Sequence, residues 1–192
     1  MLFPVQHVIL DRDGVLNAEL PDGGYVTEWS QWQWLPGARE GLKMLSAAGV
    51  RVSVATNQAG VGRGIMDRAG LDAIHAHMVE EAALAGGAID GVFVCPHTPD
   101  DGCHCRKPAP GLLIRAVKAS GISRQSTIMV GDALRDLEAA RGANLASALV
   151  RTGKGHLIEA VVVNRGVPAF ANLREFAEAV RADSTARVTT LS

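Results

Sequence analysis

No stretch of the 192-residue sequence approaches the roughly 20 consecutive apolar residues that a membrane-spanning helix needs. Neither sign of charge is in excess. Nineteen Lys and Arg face twenty Asp and Glu, for a formal net charge of −1. That balance removes the electrostatic ground for nucleic acid or an anionic membrane as partner. Aromatic residues make up only 4%, so no stacking platform for unpaired bases is evident. The start, MLFPVQHVILDRDG, shows neither a basic leader nor a signal-length apolar stretch, which sets the expectation of a cytoplasmic protein. Repeats, low-complexity linkers and coiled-coil seams are also missing, and a monomer is expected. What is present is a globular composition, 47% apolar and 20% charged, at a length that buries a real core. The expected organisation is a single domain over 1–182 and a flexible tail over 183–192.

Short apolar runs alternate with helical patterns. Val8–Leu10, Val50–Val54, Val92–Val94, Thr127–Val130, Ala146–Val150 and Val167–Phe170 read as strands. Helices are expected from Pro36 to Gly49, Asp67 to Gly86, Pro110 to Ser120, Leu134 to Arg141, His156 to Val163 and Leu173 to Arg181. Strands alternating with helices imply βαβ units, hence an α/β fold with a Rossmann-like parallel sheet and helices on both faces. Ligands of such sheets bind outside the carboxyl ends of the strands. That rule singles out Asp11 and Asp13, Thr56 and Asn57, Cys95 and His97, and Gly131-Asp132.

Asp11 and Asp13 lie two apart in extended backbone and project to one side, so one can attack while the other passes a proton. The bland alternative is an Asx-turn before Gly14. The Thr56 hydroxyl and nearby backbone N–H groups suit phosphate oxygens; the alternative is a plain turn. Gly60–Gly64 lacks the spacing of a dinucleotide fingerprint, and Gly153-Lys154 lacks the earlier glycine of a P-loop. Arg106 and Lys107 offer a fork and a point charge to phosphate or carboxylate. Asp132 meets Asp11 and Asp13 if the two strands end in one cleft, and three converging carboxylates need a cation. Hard oxygen ligands point to Mg²⁺. Asp136 suits a helix start.

The three cysteines fall within eleven residues. Cys95, His97, Cys103 and Cys105 form a complete Cys₃His tetrahedral set for a structural Zn²⁺, with unligated thiols as the alternative. His104, between two ligands, is expected to point away. The remaining histidines, His7, His75, His77 and His156, are expected to be surface or satisfied positions.

Together, Asp11-x-Asp13, Thr56, Lys107 and Gly131-Asp132 with Asp136 resemble the haloacid dehalogenase superfamily of phosphohydrolases. The stretches LDRDGVLN, GGYV, ATNQAGVGRG, CPH, CHCRKPAPGLL and MVGD resemble its D-glycero-D-manno-heptose-1,7-bisphosphate 7-phosphatase family, which is close to the histidinol-phosphatases. The resemblance covers residues 5 to 182 and implies a fold with no large cap domain, the zinc loop standing in its place. It implies a Mg²⁺-dependent phosphatase of a small sugar phosphate on the route to lipopolysaccharide, working through an aspartyl-phosphate. Asp11 would be the nucleophile and Asp13 the acid and base, with Thr56 and Lys107 stabilising the phosphoryl group. Mg²⁺ would be held by Asp11, Asp13 and Asp132, with Asp136 behind them. Substrate contacts would come from Arg106, Asn57, Gln58, Asp22 and Tyr25. Ala133 departs from members that carry a substrate-holding lysine there. A histidinol-phosphate phosphatase and a non-catalytic zinc-stabilised binding module remain the alternatives.

Overall fold

The computed structural model describes residues 4–20 and 23–190, with 183–190 as backbone only. Six strands form one parallel sheet: β1 (His7–Leu10), β2 (Arg51–Asn57), β3 (Gly91–Cys95), β4 (Thr127–Gly131), β5 (Ala146–Val150) and β6 (Ala169–Phe170). Their spatial order is β3-β2-β1-β4-β5-β6, with Leu10 in register with Val54 on one side and Val130 on the other. The winding therefore reverses between β1 and β4, which opens a crevice beyond their carboxyl ends.

The side-chain period of two divides β1 between two cores. Val8 and Leu10 join Val52, Val54, Ile128 and Val130 in one layer. Ile9 joins Ala55 and Met129 in the other. Helices cover both layers, as a parallel sheet requires. Leu42 and Leu45 of α1 (Ala38–Ala47), Met78 and Ala82 of α3 (Arg68–Leu84) and Phe176 and Val180 of α7 (Leu173–Thr190) close the first. Leu112, Leu113 and Ala116 of α4 (Gly111–Ser120), with Ala139 and Ala140 of α5 (Leu134–Gly142), close the second. α1 and α7 cross closely at Gly41, where a Cβ would sit 2.7 Å from a Leu173 side-chain carbon. Asp67 caps α3 by accepting from Gly70 N at 2.7 Å. α6 (Gly155–Val163) lies against β5.

Three sequence expectations shift. Within the glycine-rich stretch after β2, Ala59–Gly62 forms one helical turn, α2. Gly62 packs there with a Cβ position only 2.7 Å from the Pro96 carbonyl oxygen, so the glycines serve close approach. Ala48, within the helix expected from Pro36 to Gly49, is exposed just past the end of α1 at Ala47. The last helix continues past Arg181 to Thr190, through most of the segment expected as a tail. No glycine or proline interrupts Leu173–Thr190, so nothing in the backbone stops its hydrogen bonding.

Candidate active site

The ends of β1 and β4 carry Asp11 and Asp132, and the first turn of α5 carries Asp136. One oxygen from each lies within 4.8 Å of the others, and all three residues are buried. Glycines make the room. A Cβ on Gly14, whose φ is +87°, would fall 2.2 Å from Asp132 Oδ2. One on Gly153, φ +56°, would meet the same oxygen at 2.2 Å. Gly131 leaves space for the Asp136 side chain, whose Oδ2 accepts from Ala133 N at 3.0 Å.

Lys107 comes from outside the sheet and is buried with its ammonium 2.8 Å from Asp11 Oδ1 and 2.7 Å from Asp136 Oδ1. Asn57 holds the lysine in place. Its side chain donates to the Lys107 carbonyl at 2.9 Å and accepts from the Lys107 N–H at 3.0 Å. Burial and the Asp136 charge push Asp11 up to about 7, against the opposing pull of Lys107. Burial likewise raises Asp132 to about 6, although the Lys154 backbone N–H donates to its Oδ2 at 2.8 Å. For Lys107 the order reverses: burial lowers its pKa, but Asp11 and Asp136 outweigh burial and raise it. The other Asp132 oxygen, Oδ1, is buried without a partner among the described residues. A buried, unpaired carboxylate oxygen beside two more carboxylates fits a small hard cation.

Asp13 is treated differently. Burial pushes it up, but the Arg12 charge and hydrogen bonds from Arg12, Asn17 and Gln58 hold it below the ordinary carboxylate range. Gln58 Nε2 donates to Asp13 Oδ2 at 2.7 Å and to Thr56 Oγ1 at 2.9 Å. Gln58, expected to touch substrate, is thus turned inward and buried. Its side chain positions Asp13 and Thr56. Asn57 lines the cleft but spends its amide on the Lys107 backbone.

The cleft above these groups holds about 230 Å³ and is also lined by Glu19, Tyr25, Arg106, Arg135 and Lys154. Asp22 lies outside the described residues. A larger groove of about 910 Å³ runs along Ile128, Leu137, Leu145, Val162 and Phe170 and contains none of the carboxylates above.

The four zinc-type ligands also converge, with their ligand atoms within 4.8 Å of one another. Cys95 Sγ lies 3.3 Å from Cys105 Sγ and 3.6 Å from Cys103 Sγ, and His97 Nδ1 lies 3.2 Å from Cys105 Sγ. Four soft donors at these separations fit one tetrahedral Zn²⁺. His104 is exposed, pointing away as expected. The cluster sets the cleft wall, because Arg106 donates to the His97 carbonyl at 3.2 Å.

Arg12, Glu19, Arg135 and Lys154 escaped sequence reasoning. Arg12 sits between the two aspartates, and its charge was the available signal. Glu19, Arg135 and Lys154 follow no strand directly and have no such marker. His7 and His75 are buried and satisfied. His7 bridges Ser53 Oγ at 3.0 Å and Thr127 Oγ1 at 3.3 Å, and His75 meets Arg12 Nη1 at 3.1 Å.

Comparison with known proteins identifies the family. A family model described as HAD-hydrolase-like matches residues 104–176. The chain is 45% identical over 148 residues to the D-glycero-beta-D-manno-heptose-1,7-bisphosphate 7-phosphatase of Pseudomonas aeruginosa, covering 77% of this chain and 82% of that protein. It is 41% identical over 174 residues to the D-glycero-alpha-D-manno-heptose-1,7-bisphosphate 7-phosphatase of Mycobacterium bovis, covering 90% of each. The crystal structure of D,D-heptose 1,7-bisphosphate phosphatase from Bordetella bronchiseptica, complexed with magnesium and phosphate, superposes with a TM-score of 0.84 at 38% identity. That match covers 93% of this chain and 99% of that one. The chain belongs to the D-glycero-D-manno-heptose-1,7-bisphosphate 7-phosphatase family of HAD-like hydrolases.

Proposed function

We propose that the protein removes the C7 phosphate of D-glycero-D-manno-heptose 1,7-bisphosphate, a step toward the heptose of lipopolysaccharide. The observation that carries the chemistry is the buried Asp11 at the end of a central strand, with one oxygen on Lys107 and a second cation, Arg135, 3.7 Å from the other. A carboxylate so placed is a fixed nucleophile. Its attack on phosphorus forms an aspartyl-phosphate and releases the sugar C7 oxygen. Asp13 protonates that oxygen. It then takes the proton back from the water that hydrolyses the intermediate. The Arg12 charge and the hydrogen bonds from Arg12, Asn17 and Gln58 hold the Asp13 carboxyl below its ordinary range, which favours its role as base. A phosphate dianion arriving beside it raises its affinity for the proton it needs first.

Mg²⁺ would be held by the Asp11 and Asp132 carboxylates and the Asp13 backbone carbonyl, where it supplies charge neutralisation and in-line geometry. Asp136 supports this set through Lys107. Thr56 and Lys107 contact the transferring phosphoryl group, while Arg106 and Tyr25 line the sugar side. Zn²⁺ on Cys95, His97, Cys103 and Cys105 fixes the loop that delivers Arg106 and Lys107. No described helix is long and apolar enough to cross a membrane.

The test is phosphate release with Mg²⁺ from both anomers of the heptose bisphosphate and from histidinol phosphate. The expected result is a kcat/KM preference of roughly a hundredfold or more for one heptose anomer. A preference for histidinol phosphate overturns the substrate and leaves the chemistry standing.

A further inference from the structure

Arg135 projects from the first turn of α5 into the cleft that contains Asp11. Its Nη2 lies 3.7 Å from Asp11 Oδ2, the oxygen that Lys107 does not hold. The two cations therefore bracket the nucleophile, Lys107 from the buried side and Arg135, about a third exposed, from the open side. Their engagement differs. Lys107 is held by two short pairs, to Asp11 and Asp136. Arg135 has one long ion pair and no side-chain hydrogen bond among the described residues, so its planar fork of donors stays open to the cleft.

The charge balance gives that open fork a purpose. Arg12 neutralises Asp13, and Lys154 pairs with Glu19 at 2.7 Å. Asp11, Asp132 and Asp136 stand against Lys107 and Arg135, which leaves one negative charge. A divalent cation on the carboxylates turns this into one positive charge facing the cleft. Without Arg135 the carboxylate cluster with its cation would be neutral, and the attraction of a phosphate dianion would fall to Arg106, which also lines the cleft. A guanidinium presents two parallel N–H groups to two phosphate oxygens, which a lysine cannot copy.

We infer that Arg135 is a phosphate-contacting residue: it binds the phosphoryl group over Asp11, from the side opposite Lys107. This rests on the phosphatase reading above but not on the identity of the sugar. Arg135 is partly exposed and makes no short bond that the fold depends on, so its replacement leaves a folded protein to measure.

The experiment is calorimetric titration of orthophosphate onto the zinc-replete, magnesium-saturated protein. It compares wild type with Arg135→Ala, Arg135→Gln and Arg135→Lys, and records melting temperatures alongside. The expected result is a phosphate Kd weaker by about tenfold to a hundredfold in the Ala and Gln variants. Arg135→Lys should fall between these and wild type, because it restores charge without the fork. KM for the uncommitted substrate 4-nitrophenyl phosphate should rise in parallel. An unchanged phosphate Kd in Arg135→Ala and Arg135→Gln overturns the inference, whatever happens to melting. No heptose enters this titration. A wild type that fails to prefer heptose bisphosphate overturns the substrate reading alone, and an unaffected phosphate Kd overturns Arg135 alone.

Discussion

Asp13 Oδ1 accepts two hydrogen bonds from its own chain neighbour Arg12, at 2.9 Å from Nη2 and 3.2 Å from Nε. The guanidinium is buried, lies 5.7 Å over the Trp32 ring and bonds His75, so it cannot follow the carboxylate far. Asp13 is thereby aimed as well as charged. Asp13→Asn should lower turnover of an alkyl phosphate by about 10²–10⁴-fold. The loss with 4-nitrophenyl phosphate should be much smaller, because that leaving group needs no proton. Equal losses on both substrates would remove Asp13 from the proton-transfer role.

Lys107→Met leaves Asp11 and Asp136 buried against each other with no shared cation. Removing one partner of a buried ion pair costs about 3–5 kcal/mol. Denaturant unfolding should show a loss of that order, with turnover falling by at least about 10²-fold. A variant that melts and turns over like wild type would contradict the assignment.

Gly153→Ala strains a positive φ and drives a methyl into Asp132 Oδ2, whereas Gly121→Ala strains φ +69° with nothing within 4 Å. Both should lose about 1–2 kcal/mol of stability from strain. Only Gly153→Ala should raise the Mg²⁺ concentration for half-maximal activity, since only it displaces Asp132. Identical Mg²⁺ curves for the two would show that the loop does not position the carboxylate.

One zinc per chain is expected by elemental analysis of protein purified without chelator. Stripping it should lower the melting temperature and reduce turnover, because the Arg106–His97 bond loses its anchor. The Mg²⁺ dependence of the remaining activity should stay the same. Unchanged melting and kinetics after verified zinc removal would end the structural-zinc reading.

Burial lowers His7 from 6.5 to about 4, helped by the Arg51 charge. A base whose folded pKa is depressed contributes stability above its unfolded pKa, and that contribution is lost as pH falls from 6.5 toward 4. At roughly 1.4 kcal/mol per unit, the whole shift is on the order of 3 kcal/mol. His7→Gln should flatten the wild-type decline in unfolding free energy across that window. A variant with the same slope would place the titration elsewhere.

Much of the fold was legible because its signals are local. Val8–Leu10 and Val50–Val54 announce buried strands, Asp67 announces a cap, and Gly49 a stop. The expected ends of α3 and α4 fall within two residues of those observed. The run to Thr190 was missed because its polar sequence carries no apolar period to extend the pattern. In the site, residues directly after strands could be found by position alone. Asn57 and Gln58 sit at the end of β2 beside Thr56, yet they turn toward Lys107 and Asp13. That choice depends on partners 45 and 50 positions away.

The sequence by itself determined the chemical inventory: the acids after β1 and β4, the lysine of the 106–108 turn and a complete soft ligand set within eleven residues. These are properties of residue type and short spacing, and any fold that ended those strands together would use them. Tertiary structure decided how the two neighbouring carboxylates differ. Asp11 and Asp13 share one local motif, but burial beside Asp136 raises the first, and the Arg12 fork lowers the second. It also decided that Arg135 rather than Ala133 brings a cation to the cleft. A pKa and a charge balance are sums over neighbours in space, and the parallel sheet, with its reversal between β1 and β4, chooses those neighbours.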